Sequence, residues 1–220
     1  MTESVIIDVQ NVTRLYQQGI VEVAALRDLS LQIEAGEFTA ICGPSGSGKT
    51  TLLNMIGALD QPTSGRVIIE GQDLGDLDRQ QLSHLRRDRI GFVFQSYNLI
   101  PVLTAYENAE LVLSVQGASQ SERKEKVMVL LQAVGLEGLE DRRPSELSGG
   151  QQQMLALGRV MLHEPKLLVI DELSLGLAPS VVQQLLEMIQ QLKAAGQTMI
   201  IVEQSLNVAA AVADRAVFLE

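Results

Sequence analysis

The chain has 220 residues, of which 46% are apolar and 20% charged, and its formal net charge is -10. This length suffices for one large domain with its own core. The net negative charge argues against sequence-independent binding of nucleic acid, because such binding needs a dense Lys/Arg surface. A single cysteine permits no internal disulfide, and no run of 18 apolar residues or basic leader occurs. We therefore expect a cytoplasmic protein that binds no nucleic acid.

The first segments are rich in Val, Ile and Leu. Residues 5–9 and 21–33 predict strands that lead into an apolar strand at 38–42. The intervening residues 15–19 predict a loop that contains Tyr16. An aromatic side chain there either stacks on a nucleotide base or simply packs against its neighbours, and the spacing leaves both interpretations open.

A glycine-rich loop follows the strand at 38–42 and precedes a helical pattern at 51–56. Its residues are Gly43, Pro44, Ser45, Gly46, Ser47, Gly48, Lys49 and Thr50, with Thr51 next in the chain. The glycines allow backbone N–H groups to surround a phosphate chain, and the start of the helix favours the same anion. Lys49 is predicted to contact the outer phosphates and Thr50 to be a ligand of Mg²⁺. The pattern predicts a nucleotide phosphate site.

After the phosphate-loop helix, a short strand is predicted at 66–70 and a charged helix at 77–87. A second apolar run, 90–94, is followed by Gln95. Ligands of open α/β sheets bind at the carboxyl ends of the strands, so Gln95 is placed to reach Mg²⁺ or an attacking water. A surface amide is the alternative, and the residues alone do not decide between them. Apolar residues spaced by threes and fours then predict helices at 104–116 and 121–134, which indicates a helical lobe inserted into the sheet domain.

Ser148 precedes a further predicted helix, at 151–163, and is followed by Gly149, Gly150 and Gln151. A serine cap and two glycines expose backbone N–H groups at a helix start, which is a second anion site in principle. Ordinary helix capping explains the same residues.

Asp171 and Glu172 follow the apolar residues 167–170. Burying two carboxylates at the end of a strand costs free energy unless they bind a cation or exchange a proton. Alternation along the strand predicts that they point to opposite faces, so that one orients hydrated Mg²⁺ and the other accepts a proton from water. A surface strand end is the alternative. A helix at 179–195, a strand at 198–202 ending near Gln204 and a last strand from 215 complete the prediction.

The order of the phosphate loop, Gln95, the LSGGQ stretch at 147–151, Asp171-Glu172 and Gln204 resembles the nucleotide-binding subunits of ATP-binding cassette (ABC) transporters along nearly the whole chain. LSGGQ is the discriminating stretch, since the phosphate loop alone fits many nucleotide hydrolases. The resemblance implies an α/β fold: a P-loop NTPase core with a mixed sheet, an N-terminal antiparallel β subdomain and an inserted α-helical subdomain. It implies one domain, with 1–95 and 152–220 as the core and about 96–151 as the helical part.

The resemblance also implies an ATP hydrolase that uses ATP and Mg²⁺. Two copies would pair head to tail, with ATP between the phosphate loop of one and the residues Ser148, Gly149, Gly150 and Gln151 of the other. Closure would drive an integral membrane permease from the inner face of the cell membrane. Tyr16 would stack on adenine, Glu172 would be the catalytic base assisted by Gln95 and Gln204, and Thr50, Gln95 and Asp171 would hold the metal.

The resemblance differs along the chain. Residues 1–147 resemble lipoprotein-releasing and macrolide-exporter ATPases, whereas 152–220 resemble ATPases of branched-chain amino-acid importers, so we expect a mosaic with an exporter-type partner. An ATP-gated signalling switch, an importer ATPase and a weakly hydrolysing mosaic are the alternatives. Leu173 replaces the usual proline, Ala178 a common aspartate and Gln204 the usual histidine. Because the amide of Gln204 can hydrogen-bond a phosphate but cannot gain or lose a proton as histidine does, its expected role is positional.

Overall fold

A computed structural model describes residues 5–19, 21–94, 96–172, 177–203 and 206–220. The strands within these ranges are β1 (Val5–Gln18), β2 (Val21–Glu34), β3 (Phe38–Cys42), β4 (Ser64–Ile69), β5 (Gln72–Asp73), β6 (Ile90–Val93), β7 (Leu167–Asp171), β8 (Thr198–Val202) and β9 (Arg215–Phe218). The α-helices are α1 (Lys49–Ile56), α2 (Arg79–Arg89), α3 (Ala105–Val115), α4 (Gln120–Ala133), α5 (Gly149–Met161), α6 (Pro179–Ala194) and α7 (Leu206–Val212).

A five-stranded parallel sheet in the order β6-β7-β8-β3-β9 forms the centre of the fold. The inner strands β7, β8 and β3 are almost entirely buried because both of their faces are covered, whereas the edge strand β9 is largely exposed. Leu168 and Ile170 pack into one core with the helices α3 to α6, whereas Leu167 and Val169 pack into a second core with α1 and the N-terminal strands. Because the strands are parallel, their carboxyl ends lie at the same edge of the sheet, and each face of the sheet packs against one of the two cores.

The N-terminal strands form a separate antiparallel sheet in the order β2-β1-β4-β5. The prediction of a loop at 15–19 is wrong, because β1 continues to Gln18 and Tyr16 pairs with Val23 across the hairpin. The sequence misses this because the hairpin's outer part is half exposed and has several register shifts, which remove the alternation that identifies a strand.

The two predicted helices of the lobe are confirmed as α3 and α4. Each begins at a side-chain cap: the hydroxyl of Thr104 accepts a hydrogen bond from Glu107 N, and that of Ser119 from Glu122 N. Both helices contribute to the same core as α5 and the parallel sheet. The predicted fold class is confirmed, with parallel pairing in one sheet, antiparallel pairing in the other and helices between 105 and 133.

Two short elements lie outside the predictions. The strand β5 has two residues, and α7 follows β8 where no helix was predicted. Both are too short for a periodic pattern to develop. Within the described ranges, no helix combines the length and apolar character needed to cross a membrane.

Candidate active site

The phosphate loop connects β3 to α1, and its path depends on glycine at two positions. Gly43 has φ 146° and Gly48 has φ 92°. A Cβ at Gly43 would overlap the carbonyl oxygen of Leu219, and one at Gly48 would overlap the carbonyl oxygen of Ala25. The loop is therefore pressed between β2 and the residues after β9, where only glycine fits.

Lys49 begins α1 and lies inside this loop. Its side chain is almost fully buried, at 6% exposed, and its ammonium donates to the carbonyl oxygens of Gly43 (2.9 Å) and Pro44 (2.7 Å). The Ser47 hydroxyl is also buried and has no hydrogen-bond partner among the described residues. A buried cation, an unpaired hydroxyl and a helix start are together suited to a chain of phosphates.

Asp171 ends β7, one strand away from β3 across β8. Burial raises the pKa of its carboxyl, the negative charge of Glu172 raises it further, and the positive charge of Lys49 acts in the opposite direction. Its Oδ1 atom is buried and has no hydrogen-bond partner within the described part of the chain. A desolvated carboxylate with a free oxygen near a phosphate loop fits a divalent cation, and the exposed Thr50 in the first turn of α1 supplies a second oxygen.

Glu172 is the first residue after β7. Its backbone N–H donates to Val202 O at 2.9 Å, and its φ is 49°, in the left-handed region that glutamate rarely adopts. The prediction that strand alternation sends Asp171 and Glu172 to opposite faces does not apply, because the strand ends at Asp171. The orientation of Glu172 depends instead on this strained turn, and strain of this kind is concentrated at functional sites.

Asp171→Asn is expected to stabilise the nucleotide-free protein. A raised carboxyl pKa means that ionisation opposes folding above the carboxyl's unfolded pKa, so a neutral amide removes this cost at pH 7. The melting temperature should rise by about 2–4 °C for each kcal/mol added to the free energy of unfolding. This stabilisation should shrink as the pH falls through the raised pKa of Asp171. Thermal melts at neutral and acid pH measure this, with the exposed Asp141→Asn as control. A lower melting temperature for Asp171→Asn would contradict it.

The LSGGQ stretch forms the start of α5. The Ser148 hydroxyl accepts from Gln151 N, and Gln151 Oε1 accepts from Ser148 N, which closes a capping box. The predicted capping role is confirmed. A Cβ at Gly150 would lie 2.8 Å from Val181 of α6, and one at Gly149 would lie 3.2 Å from the Tyr97 hydroxyl. Ser148 and Gly149 are exposed, so this helix start opens to solvent.

Tyr16 lies in β1 rather than in a loop, and its ring is half-buried. Its hydroxyl donates to Asp60, and the guanidinium of Arg14 lies over one ring face. The sequence did not single out Arg14 or Asp60, because Asp60 is 44 residues from Tyr16 and joins both side chains only through the tertiary fold. Gln95 and Gln204 lie outside the described residues. Of the other predicted residues, Pro44, Ser45 and Gly46 are exposed in the loop and Thr51 is half-buried in α1.

Residues 26–174 match the family model described as ABC transporter. The chain belongs to the ABC transporter family. It is 41% identical over 92% of its length to an uncharacterised ABC transporter ATP-binding protein of Thermotoga maritima, covering 86% of that protein. It is 43% identical over 93% of its length to a macrolide export ATP-binding/permease protein of Hyphomonas neptunium, of which it spans 32%.

Solved ABC structures agree with this assignment. A dimeric ATP-binding cassette of Methanocaldococcus jannaschii, in a post-hydrolysis state bound to ADP and Pi, superimposes with a TM-score of 0.91 at 39% identity, covering 97% of this chain and 94% of that one. The predicted family is confirmed and the chain is an ATP-binding cassette. The importer resemblance of residues 152–220 stays a prediction.

Proposed function

We propose that this chain is the ATP-binding and ATP-hydrolysing subunit of an exporter-type ABC transporter, acting as a head-to-tail homodimer that drives a membrane permease. The observation that carries the proposal is the arrangement of Lys49 and Asp171. A buried ammonium and a desolvated carboxylate that lies in its field share one sheet edge with the Ser47 hydroxyl, which has no partner among the described residues. This arrangement suits the phosphate chain of ATP together with a divalent cation.

The residues at this edge have distinct roles in the proposed hydrolysis. Backbone N–H groups of residues 45–50 and the Lys49 ammonium bind the phosphates and offset the charge that develops on the transferred group. Asp171, Thr50 and Gln95 would hold Mg²⁺, and the bound ion would supply positive charge to neutralise the phosphates. Glu172 accepts the proton of the attacking water, with Gln95 and Gln204 positioning water and phosphate.

The second half of each site comes from the partner copy in this proposal. Ser148 and Gly149 are exposed at a helix start, where the first backbone N–H groups have no acceptor within the helix. Such a helix start attracts an anion that its own chain does not supply. The dimeric state of the Methanocaldococcus jannaschii cassette supports this arrangement.

The exporter assignment is supported by the macrolide export relatives, of which the chain spans about a third. Those relatives are macrolide export proteins that combine an ATP-binding part with a permease part. We propose that a separate or additional permease segment acts with this chain at the inner face of the cell membrane.

Steady-state phosphate release with Mg²⁺-ATP tests the proposed function. Because each site needs two copies, turnover per molecule at saturating ATP should rise with protein concentration and level off when nearly all of the protein is dimeric. Purified protein over a wide concentration range is the sample, with Lys49→Ala as the blank. Constant turnover per molecule at all concentrations would contradict the shared site, and ATP binding without phosphate release would favour a binding-only mosaic.

A further inference from the structure

Asp60 links the phosphate-loop helix to the side chain proposed to contact adenine. It lies four residues beyond the end of α1, and its backbone N–H donates to Asn54 O within that helix at 3.2 Å. Its carboxylate reaches across to β1, 44 residues away in sequence, where Oδ2 accepts from the Tyr16 hydroxyl at 2.8 Å. One residue therefore contacts both the helix that follows the phosphate loop and the aromatic ring.

Asp60 also fixes what lies against that ring. Its Oδ1 accepts from Arg14 Nη2 at 2.8 Å, and the Arg14 guanidinium is 4.6 Å from the centroid of the Tyr16 ring, within the range of a cation–π contact. Both side chains of the ion pair are about three-quarters buried, at 24% and 25% exposed. Arg14 covers one face of Tyr16, so a base can stack only on the opposite face.

The surrounding backbone holds this cluster in place. Gln61 N donates to Asp60 Oδ1, Thr63 N donates to Thr13 O and Leu15 N donates to the Thr63 hydroxyl. The turn after α1 is thus fastened to the strand on both sides of Arg14. A ring with a bonded hydroxyl and a covered face has lost most of its rotamer freedom before any nucleotide arrives.

We infer that Asp60 is a positioning residue for adenine: it holds Tyr16, through the hydroxyl and through Arg14, at the angle at which the base of ATP stacks on the ring face opposite Arg14. The inference rests on the proposed function. It assigns to the turn after α1 a part in recognising the base, while the loop before α1 recognises the phosphates. Asp60 acts on the base only through Tyr16 and Arg14.

The test compares ATP with inorganic tripolyphosphate, which has the phosphates without the base. Calorimetric titration of the purified protein with Mg²⁺ and each ligand gives two dissociation constants per variant. Asp60→Ala should weaken ATP binding about five- to tenfold, the size of one aromatic stacking contact, and leave tripolyphosphate binding unchanged. Tyr16→Phe, which keeps the ring and the Arg14–Asp60 pair, should shift the same ratio in the same direction by a smaller factor.

The double variant separates a positioning role from a general one. If Asp60 acts through Tyr16, Asp60→Ala should have less effect on the ATP to tripolyphosphate ratio in the Tyr16→Phe background than alone. Asp8→Ala is the matched control, since Asp8 lies on the same strand and accepts from Gln10 and Gln32 without contacting Tyr16. It should leave the ratio at the wild-type value.

The outcomes distinguish the two claims. Equal weakening of ATP and tripolyphosphate by Asp60→Ala would overturn the inference, because it would show damage to the phosphate loop. An unchanged ratio of the ATP and tripolyphosphate dissociation constants in both Asp60→Ala and Tyr16→Phe would also overturn the inference. The proposed function would still stand if the wild-type protein binds both ligands. Failure of the wild-type protein to bind either ligand would overturn both.

Discussion

Glu172→Gln is expected to abolish ATP turnover while ATP binding persists. An amide keeps the size of the side chain and its left-handed backbone position but cannot accept the proton of the attacking water. Loss of a general base lowers turnover by about 10²- to 10⁴-fold. The change also removes a negative charge beside Asp171, where that charge raises the carboxyl pKa, so a polyanionic ligand should bind at least as well. The closed dimer should therefore accumulate.

Phosphate release measures the loss of turnover, and size-exclusion chromatography with ATP measures the accumulated dimer. The control is Glu187→Gln, because Glu187 lies on the exposed part of α6 and contacts only Gln183 among the hydrogen bonds described. Its turnover should equal that of the wild type. Normal turnover in Glu172→Gln would remove Glu172 from the role of catalytic base.

Lys49→Ala is expected to weaken ATP binding itself. The ammonium is held inside the loop by two carbonyl oxygens and is nearly inaccessible to water, so its interaction with phosphate is little screened. Charge-assisted hydrogen bonds of this kind correspond to about ten- to a hundredfold in affinity. Titration of the purified variant with Mg²⁺-ATP measures the loss.

A matched lysine is available for that experiment. Lys126 forms an exposed pair with Glu122 on α4, and Lys126→Ala should leave the ATP affinity unchanged. Thermal melts of both variants show whether the fold is intact. Unaltered ATP affinity in a folded Lys49→Ala protein would refute the assignment of the phosphate loop.

The site could be predicted where chemistry is encoded locally. The glycines of the phosphate loop, the cap at Ser148 and the strand ending at Asp171 are each defined within a few residues, and the structure places them as expected. Local rules work there because turns, caps and buried strands depend on near neighbours.

Contacts between distant segments could not be predicted. The bond between Tyr16 and Asp60 depends on how the hairpin crosses the end of α1, and the field of Lys49 at Asp171 depends on β8 lying between β3 and β7. The strained φ of Glu172 was also missed, because alternation assumes that a strand continues. Strand order and strain are tertiary properties that no short pattern contains.

Phosphate release by an equal mixture of Lys49→Ala and Ser148→Arg tests the shared site most directly. Lys49→Ala removes the ammonium that binds the phosphates, and Ser148→Arg blocks the start of α5, so each variant alone should be inactive. A mixed dimer retains one intact site, built from the loop of one copy and α5 of the other. With random pairing, the mixture should recover about a quarter of wild-type turnover. A mixture as inactive as its components would contradict the head-to-tail site.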